Sequence, residues 1–135
     1  GSPQQQRMYD WVRQHTTLDD YFYMGVNIDE FHPPLSKNPP DEQRDRILFM
    51  MHTGRFTIGP VKWLLSFTRD RLPILVSIEK KCDPKDFASF EIRYLAIDTP
   101  EREAWFRSVC RASDWRTVYS GEGIDAPHIY ERREE

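Results

Sequence analysis

The sequence predicts an α+β domain: a four-stranded antiparallel sheet with two helices on one face, preceded by a helical or extended N-terminal appendage. Three observations predict it. Residues 89–109, SFEIRYLAIDTPEREAWFRSV, read as a strand that runs directly into a helix. Short apolar runs at 46–52, 74–79 and 115–120 have strand length and are bounded by turn residues. Between the first two of these, residues 58–68 carry apolar side chains at helical spacing. The order over residues 46–121 is therefore strand, helix, strand, strand, helix, strand.

Residues 1–45 read as an appendage and linker. A short helix is expected over 7–14 (RMYDWVRQ), and a second over LDDYFYMG, with Thr16 or Thr17 as cap and Gly25 as stop. The Pro33-Pro34 and Pro39-Pro40 pairs then break regular structure. In the domain, RILFMMH (46–52) is expected to be a buried strand, and Thr57 caps the first helix, with Val61, Leu64, Leu65 and Phe67 buried. Ile74, Val76 and Ile78 alternate with Leu75, Ser77 and Glu79 as the second strand. A polar turn, Lys80–Asp86, leads to the third.

There Phe90, Ile92, Tyr94 and Ala96 alternate with Glu91, Arg93, Leu95 and Ile97. The bulkier first set suits the core; the other register turns Ile92 and Tyr94 outward. Thr99 fits the cap of the second helix and Pro100 its first position, with Glu101 and Glu103 at the positive end of its dipole. WRTVYS (115–120) is the fourth strand. Residues 122–135 read as a polar tail.

With 135 residues, 39 % hydrophobic and 13 % aromatic, one domain with a real core is expected. No apolar run reaches the length of a membrane span, so no membrane partner is expected. The net charge of −3 counts against binding driven mainly by phosphate contacts. Gly1-Ser2 reads as a cloning remnant, with no secretory leader after it. Cys82 and Cys110 are expected to be free thiols, which points to the cytosol or nucleus.

The order, length and spacing of 46–121 resemble the RNA recognition motif family, which has the ferredoxin-like βαββαβ fold. The resemblance is carried by Phe56-Thr57 before the first helix, by the charged loop between strands two and three, and by Asp98-Thr99-Pro100-Glu101 leading into the second helix. It implies single-stranded RNA stacked on aromatic rings of the first and third strands. Here the first-strand stacking position falls on Leu48, and the third strand, Phe90–Ile97, lacks the family's glycines.

The outward sheet face then carries Leu48, Met50, Leu75 and Leu95 with Glu91 and Arg93, an apolar surface that needs a cover. The resemblance thus implies a non-catalytic interaction module of an RNA-processing protein. It contacts another protein or a second copy through Leu48, Met50, Leu75 and Leu95, with Trp105 or Phe106 as a helix-face anchor. The alternative is direct RNA binding through Phe49, Lys80, Lys81, Lys85, Arg93 and Tyr94. A second alternative, a small enzyme acting on a phosphate ester, needs a convergent charged cluster that the sequence does not display.

His15, His32, His52 and His128 lack metal-ligand spacing, and no metal or cofactor is expected. Asp19-Asp20, Asp98, Glu101 and Glu103 read as cap and turn residues, and neither they nor Asp29-Glu30 as a catalytic pair.

Overall fold

The computed structural model describes residues 2–25, 41–59, 72–124 and 126–134. The chain forms α1 (Pro3–His15), β1 (Tyr21–Tyr23), α2 (Asp41–Thr53), β2 (Thr57–Ile58), α3 (Leu72–Lys81), α4 (Pro84–Ser89), β3 (Ile92–Ile97), α5 (Pro100–Val109), β4 (Trp115–Ser120) and β5 (His128–Arg132). The five strands make one sheet in the order β2-β1-β3-β5-β4. β1 runs parallel to β2 and β3, and β5 runs antiparallel to β3 and β4.

Both faces of the sheet are covered. On one, Tyr23, Ile92, Leu95, Ile97 and Trp115 pack with Leu75 and Ile78 of α3, Phe87 of α4 and Phe106 of α5. On the other, Phe22, Met24, Tyr94, Ala96 and Ile129 pack with Met8, Tyr9 and Val12 of α1 and Phe49 of α2. The architecture is a mixed five-stranded sheet between two helical layers. The four-stranded antiparallel arrangement with helices on one face is not found among the described residues.

Several expectations change with it. RILFMMH lies inside α2, not in a strand. A short apolar run does not distinguish a strand from a buried helix, and Leu and Met are good helix formers. Residues 74–79 lie in α3. Leu75, Ile78 and Glu79 are buried in it and Cys82 just beyond it, at spacings of three and four that override the apparent alternation. Tyr21-Phe22-Tyr23 is a strand, not a helix: its rings feed both layers, which suits aromatic side chains on a doubly covered strand.

Residues 128–132, read as a polar tail, form β5, where Ile129 and Glu131 are buried and alternate with half-buried neighbours. The N-terminal segment is part of the fold and not an appendage, since α1 supplies core residues. The helix expected over 58–68 and the Pro-rich stretch 26–40 fall mostly outside the described residues.

Other elements follow the sequence closely. α1 covers the expected 7–14 helix but starts four residues earlier, where Ser2, read as a remnant, forms a capping box with Gln5 and Pro3 sits in the first turn. Thr99 caps α5 by accepting a hydrogen bond from the Arg102 N–H. β3 and β4 are strands. The pairing of β1 with β3 slips between Tyr21 and Phe22, so that Ile92 and Tyr94 pair with consecutive β1 residues and Arg93 is extra. Such a bulge shifts the alternation. Leu95 and Ile97 therefore share a layer with Ile92, while Tyr94 and Ala96 face the other.

Cys82 and Cys110 are bonded to each other, which overturns the expectation of free thiols and removes the ground for inferring a reducing compartment. No helix among the described residues is long and apolar enough to cross a membrane.

Arg55 ties the second helical layer together. It is buried, and its guanidinium donates to the Thr16 hydroxyl at 2.9 Å, the Thr16 carbonyl at 2.8 Å, the Thr53 carbonyl at 3.0 Å and the Arg13 carbonyl at 3.4 Å. These carbonyls end α1 and α2 and have no helical partners, so one cation satisfies two negative helix ends. Arg55→Ala is expected to cost about 2 kcal/mol in urea denaturation, and Arg55→Lys to recover only part, because an ammonium lacks the fork. A change under about 0.5 kcal/mol for Arg55→Ala would sink this assignment.

Candidate functional site

The strand order places the carboxyl ends of β1, β2 and β3 side by side. The chain leaves β1 toward β2 on one side and reaches β3 on the other, so a topological switch lies between β1 and β3. In open sheets with parallel strands, ligands enter at this point. Here the strands end in Tyr23-Met24-Gly25, Ile58-Gly59 and Ile97-Asp98. Packing is close at both glycines: a Cβ on Gly59 would lie 2.6 Å from the Met24 carbonyl oxygen, and one on Gly25 2.8 Å from the side-chain Oε1 of Glu79.

Charged side chains from three helices and one strand end meet there. Arg102 projects from α5 and is 1 % exposed. Its Nε donates to the Gly25 carbonyl at 2.7 Å, and its Nη1 to Asp98 Oδ1 at 2.7 Å and to Asp45 Oδ2 of α2 at 3.3 Å. Arg46, also from α2 and buried, donates to the Met24 carbonyl at 3.2 Å. On the other side of β1, the Tyr23 hydroxyl donates to Glu79 Oε1 at 2.5 Å, and Trp105 Nε1 donates to the Glu79 carbonyl at 2.7 Å.

The electrostatics follow from burial. Burial raises Asp98 above the usual carboxylate range, and the Arg102 and Arg46 guanidiniums offset only part of that. Burial, then the Glu79 carboxylate beside it, pushes the Tyr23 phenol well above its ordinary value. Asp98 Oδ1 is paired with Arg102, but Oδ2, equally buried, has no hydrogen-bond partner among the described residues. A buried carboxylate oxygen without a donor is costly and rare. No group of three metal-ligating side chains lies close together among the described residues.

The residues singled out from sequence are dispersed. Leu75 and Leu95, expected on an open sheet face, are 1 % and 0 % exposed under helices. Leu48 and Met50 are half-buried on α2. Trp105 is half-buried through its bond to Glu79, and Phe106 is buried and stacked on Tyr130 with ring centroids 4.0 Å apart. Neither is an exposed anchor. Phe49 and Tyr94, expected to stack bases, are buried beneath α1 and α2, and each lies 5.0 Å from the Phe22 ring. Lys80 and Lys81 are exposed at the end of α3 and Lys85 in α4, whereas Arg93 pairs with Glu131 and Asp20.

The residues that do converge were read as cap and turn residues or passed over: Asp98, Arg102, Arg46 and Glu79. One signal was available. Arg102, Phe106 and Val109 recur at four and three residues, so an arginine sits on the apolar stripe of α5, four residues after an aspartate.

The fold and site define a mixed α/β domain with a charged, largely buried cluster at the carboxyl ends of its parallel strands. No family model, curated protein or solved structure matches the chain.

Proposed function

We propose that this domain is a non-catalytic binding module that takes a small polar ligand bearing a hydroxyl or amine group, at the carboxyl ends of β1 and β3. The unpartnered Asp98 Oδ2 carries this reading. It is a strong acceptor held at the position where such sheets admit ligands, and an O–H or N–H donor would complete it. Arg102 and Arg46 hold the surrounding carbonyls and carboxylates, so the orientation of the acceptor is set before a ligand reaches it.

The test is a two-dimensional amide spectrum recorded against a panel of polyols, amines, carboxylates and phosphates. Polyols or amines should shift the amides of Gly25, Gly59, Asp98 and Thr99, and Asp98→Asn should weaken that response about tenfold. A panel that leaves those four amides unmoved would refute the reading.

A second reading keeps the protein contact that the family resemblance implies, with another protein or a second copy as partner. One observation favours it: Met51 is 75 % and Leu18 71 % exposed, with Ile47 and Phe56 exposed as well. In the same spectra, line broadening that grows with protein concentration and centres on Met51 and Phe56 marks self-association.

A further inference from the structure

At the opposite end of β3, four arginines line one cleft. Arg93, Arg116, Arg132 and Arg133 share it with Glu131 and Glu134, and its volume is about 360 Å³. The formal charge of the lining is +2, four cations against two carboxylates. That local excess stands on a chain whose net charge is −3.

The cations are held in two ways. Glu131 is a strut. Its Oε2 accepts from Arg93 Nε at 2.9 Å and lies 2.8 Å from Arg93 Nη2, and its Oε1 accepts from Arg116 Nη2. Both carboxylate oxygens are thus occupied. Burial alone would raise its pKa, but the Arg116 hydrogen bond and the Arg93 charge bring it below the ordinary carboxylate value. Glu131 therefore stays ionised and fixes two guanidiniums.

Arg132 and Arg133 are held differently. Each uses Nε on a main-chain carbonyl: Arg132 on Ile92 at 3.1 Å, Arg133 on Trp115 at 3.2 Å. Among the described residues, no hydrogen bond or ion pair engages their Nη1 and Nη2 atoms. Two guanidiniums lining one cleft are thus tethered at one corner, to β3 and β4 on either side of β5, while their outer donors remain available. A tethered fork loses less side-chain freedom when it binds an oxyanion.

We propose that this cleft binds the dianionic phosphate group of a small phosphomonoester, with Arg132 and Arg133 as its donors and Glu131 as the strut that positions Arg93 and Arg116 around it. A dianion matches the charge of the lining, and forks of this kind pair with phosphate oxygens bidentately. The cleft is also larger than phosphate alone requires and leaves room for the group that carries it. Glu134, exposed at the rim, opposes an anion and moderates affinity.

The test uses the whole chain with its arginine Nε–H signals resolved by nitrogen-15 NMR, at pH about 8, where a phosphomonoester is dianionic. Phenyl phosphate is titrated at constant ionic strength. Parallel titrations use inorganic phosphate, sodium chloride, and an oligonucleotide without a terminal phosphate. The Nε–H signals of Arg132 and Arg133 should move saturably with phenyl phosphate and with inorganic phosphate, and not with chloride.

Arg132→Gln with Arg133→Gln should weaken binding about tenfold or more. Glu134→Gln, a change at an exposed side chain that leaves the fold intact, should tighten it about two- to threefold. Equal response to chloride, unchanged affinity in either variant, or a response to the oligonucleotide alone would overturn the proposal. So would binding that shifts only the amides of Gly25 and Asp98, since those report the other end of the sheet.

Discussion

Replacing Arg102 with methionine should remove about 3–5 kcal/mol of folding free energy, measured as a fall in the urea midpoint at unchanged slope. Methionine fills much of the same volume, so the loss is not chiefly a cavity. It arises because the Asp98 carboxylate would remain fully buried with neither oxygen paired to Arg102, and the Gly25 carbonyl would lose its donor. Arg102→Lys should fall between the two, since an ammonium keeps the charge but not the fork that reaches Gly25, Asp45 and Asp98 together. The decisive comparison is in an Asp98→Asn background, where the methionine substitution should cost at least about 1 kcal/mol less. Equal losses in both backgrounds would show that pairing is not what Arg102 supplies.

The second large effect concerns the covalent link between Cys82, at the end of α3, and Cys110, the C-cap of α5. The bond closes a loop with a sequence separation of 28 and joins two helices that cover the same face of the sheet. Loop-closure entropy for a ring of that size corresponds to about 3–4 kcal/mol. Cys82→Ser with Cys110→Ser should therefore lose about that amount. Reduction of the natural chain by a dithiol should produce a similar drop, while the serine variant should not respond to reductant. Coincident urea midpoints with and without reductant, in a sample whose two thiols are fully labelled after reduction, would sink this expectation.

Capping chemistry was legible at one helix and misled elsewhere: Thr57 lies in β2, and Thr16 ends α1 and starts no helix. Thr99 with Pro100 marked the start of α5, and the strand before it was plain from its alternation. Those signals are local, and at this segment the tertiary setting agrees with them. The first and second expected strands failed for a nonlocal reason. Runs such as RILFMMH are apolar in either conformation, and only the partner surface decides between them. Tyr21–Tyr23 failed in the opposite sense, because three residues carry too little periodicity to announce a strand between two others.

The candidate site was least legible. Asp98 and Arg102 are close in sequence, but Asp45 and Gly25 reach them only through the sheet order, which no spacing along the chain encodes. The arginines of the second cleft come from three strands and the residue after β5, and only Arg93 had been singled out.

The position of β5 between β3 and β4 has a consequence for biogenesis. A nascent chain emerging from the ribosome can present β1, β2 and β3 early, yet β4 then has no neighbour to zip onto. Residues 128–132 must clear the exit tunnel before the two halves of the layer can be stitched together. Synthesis therefore delivers this strand after the other four, and until then the unpaired edges of β3 and β4 remain surfaces for chaperones to shield.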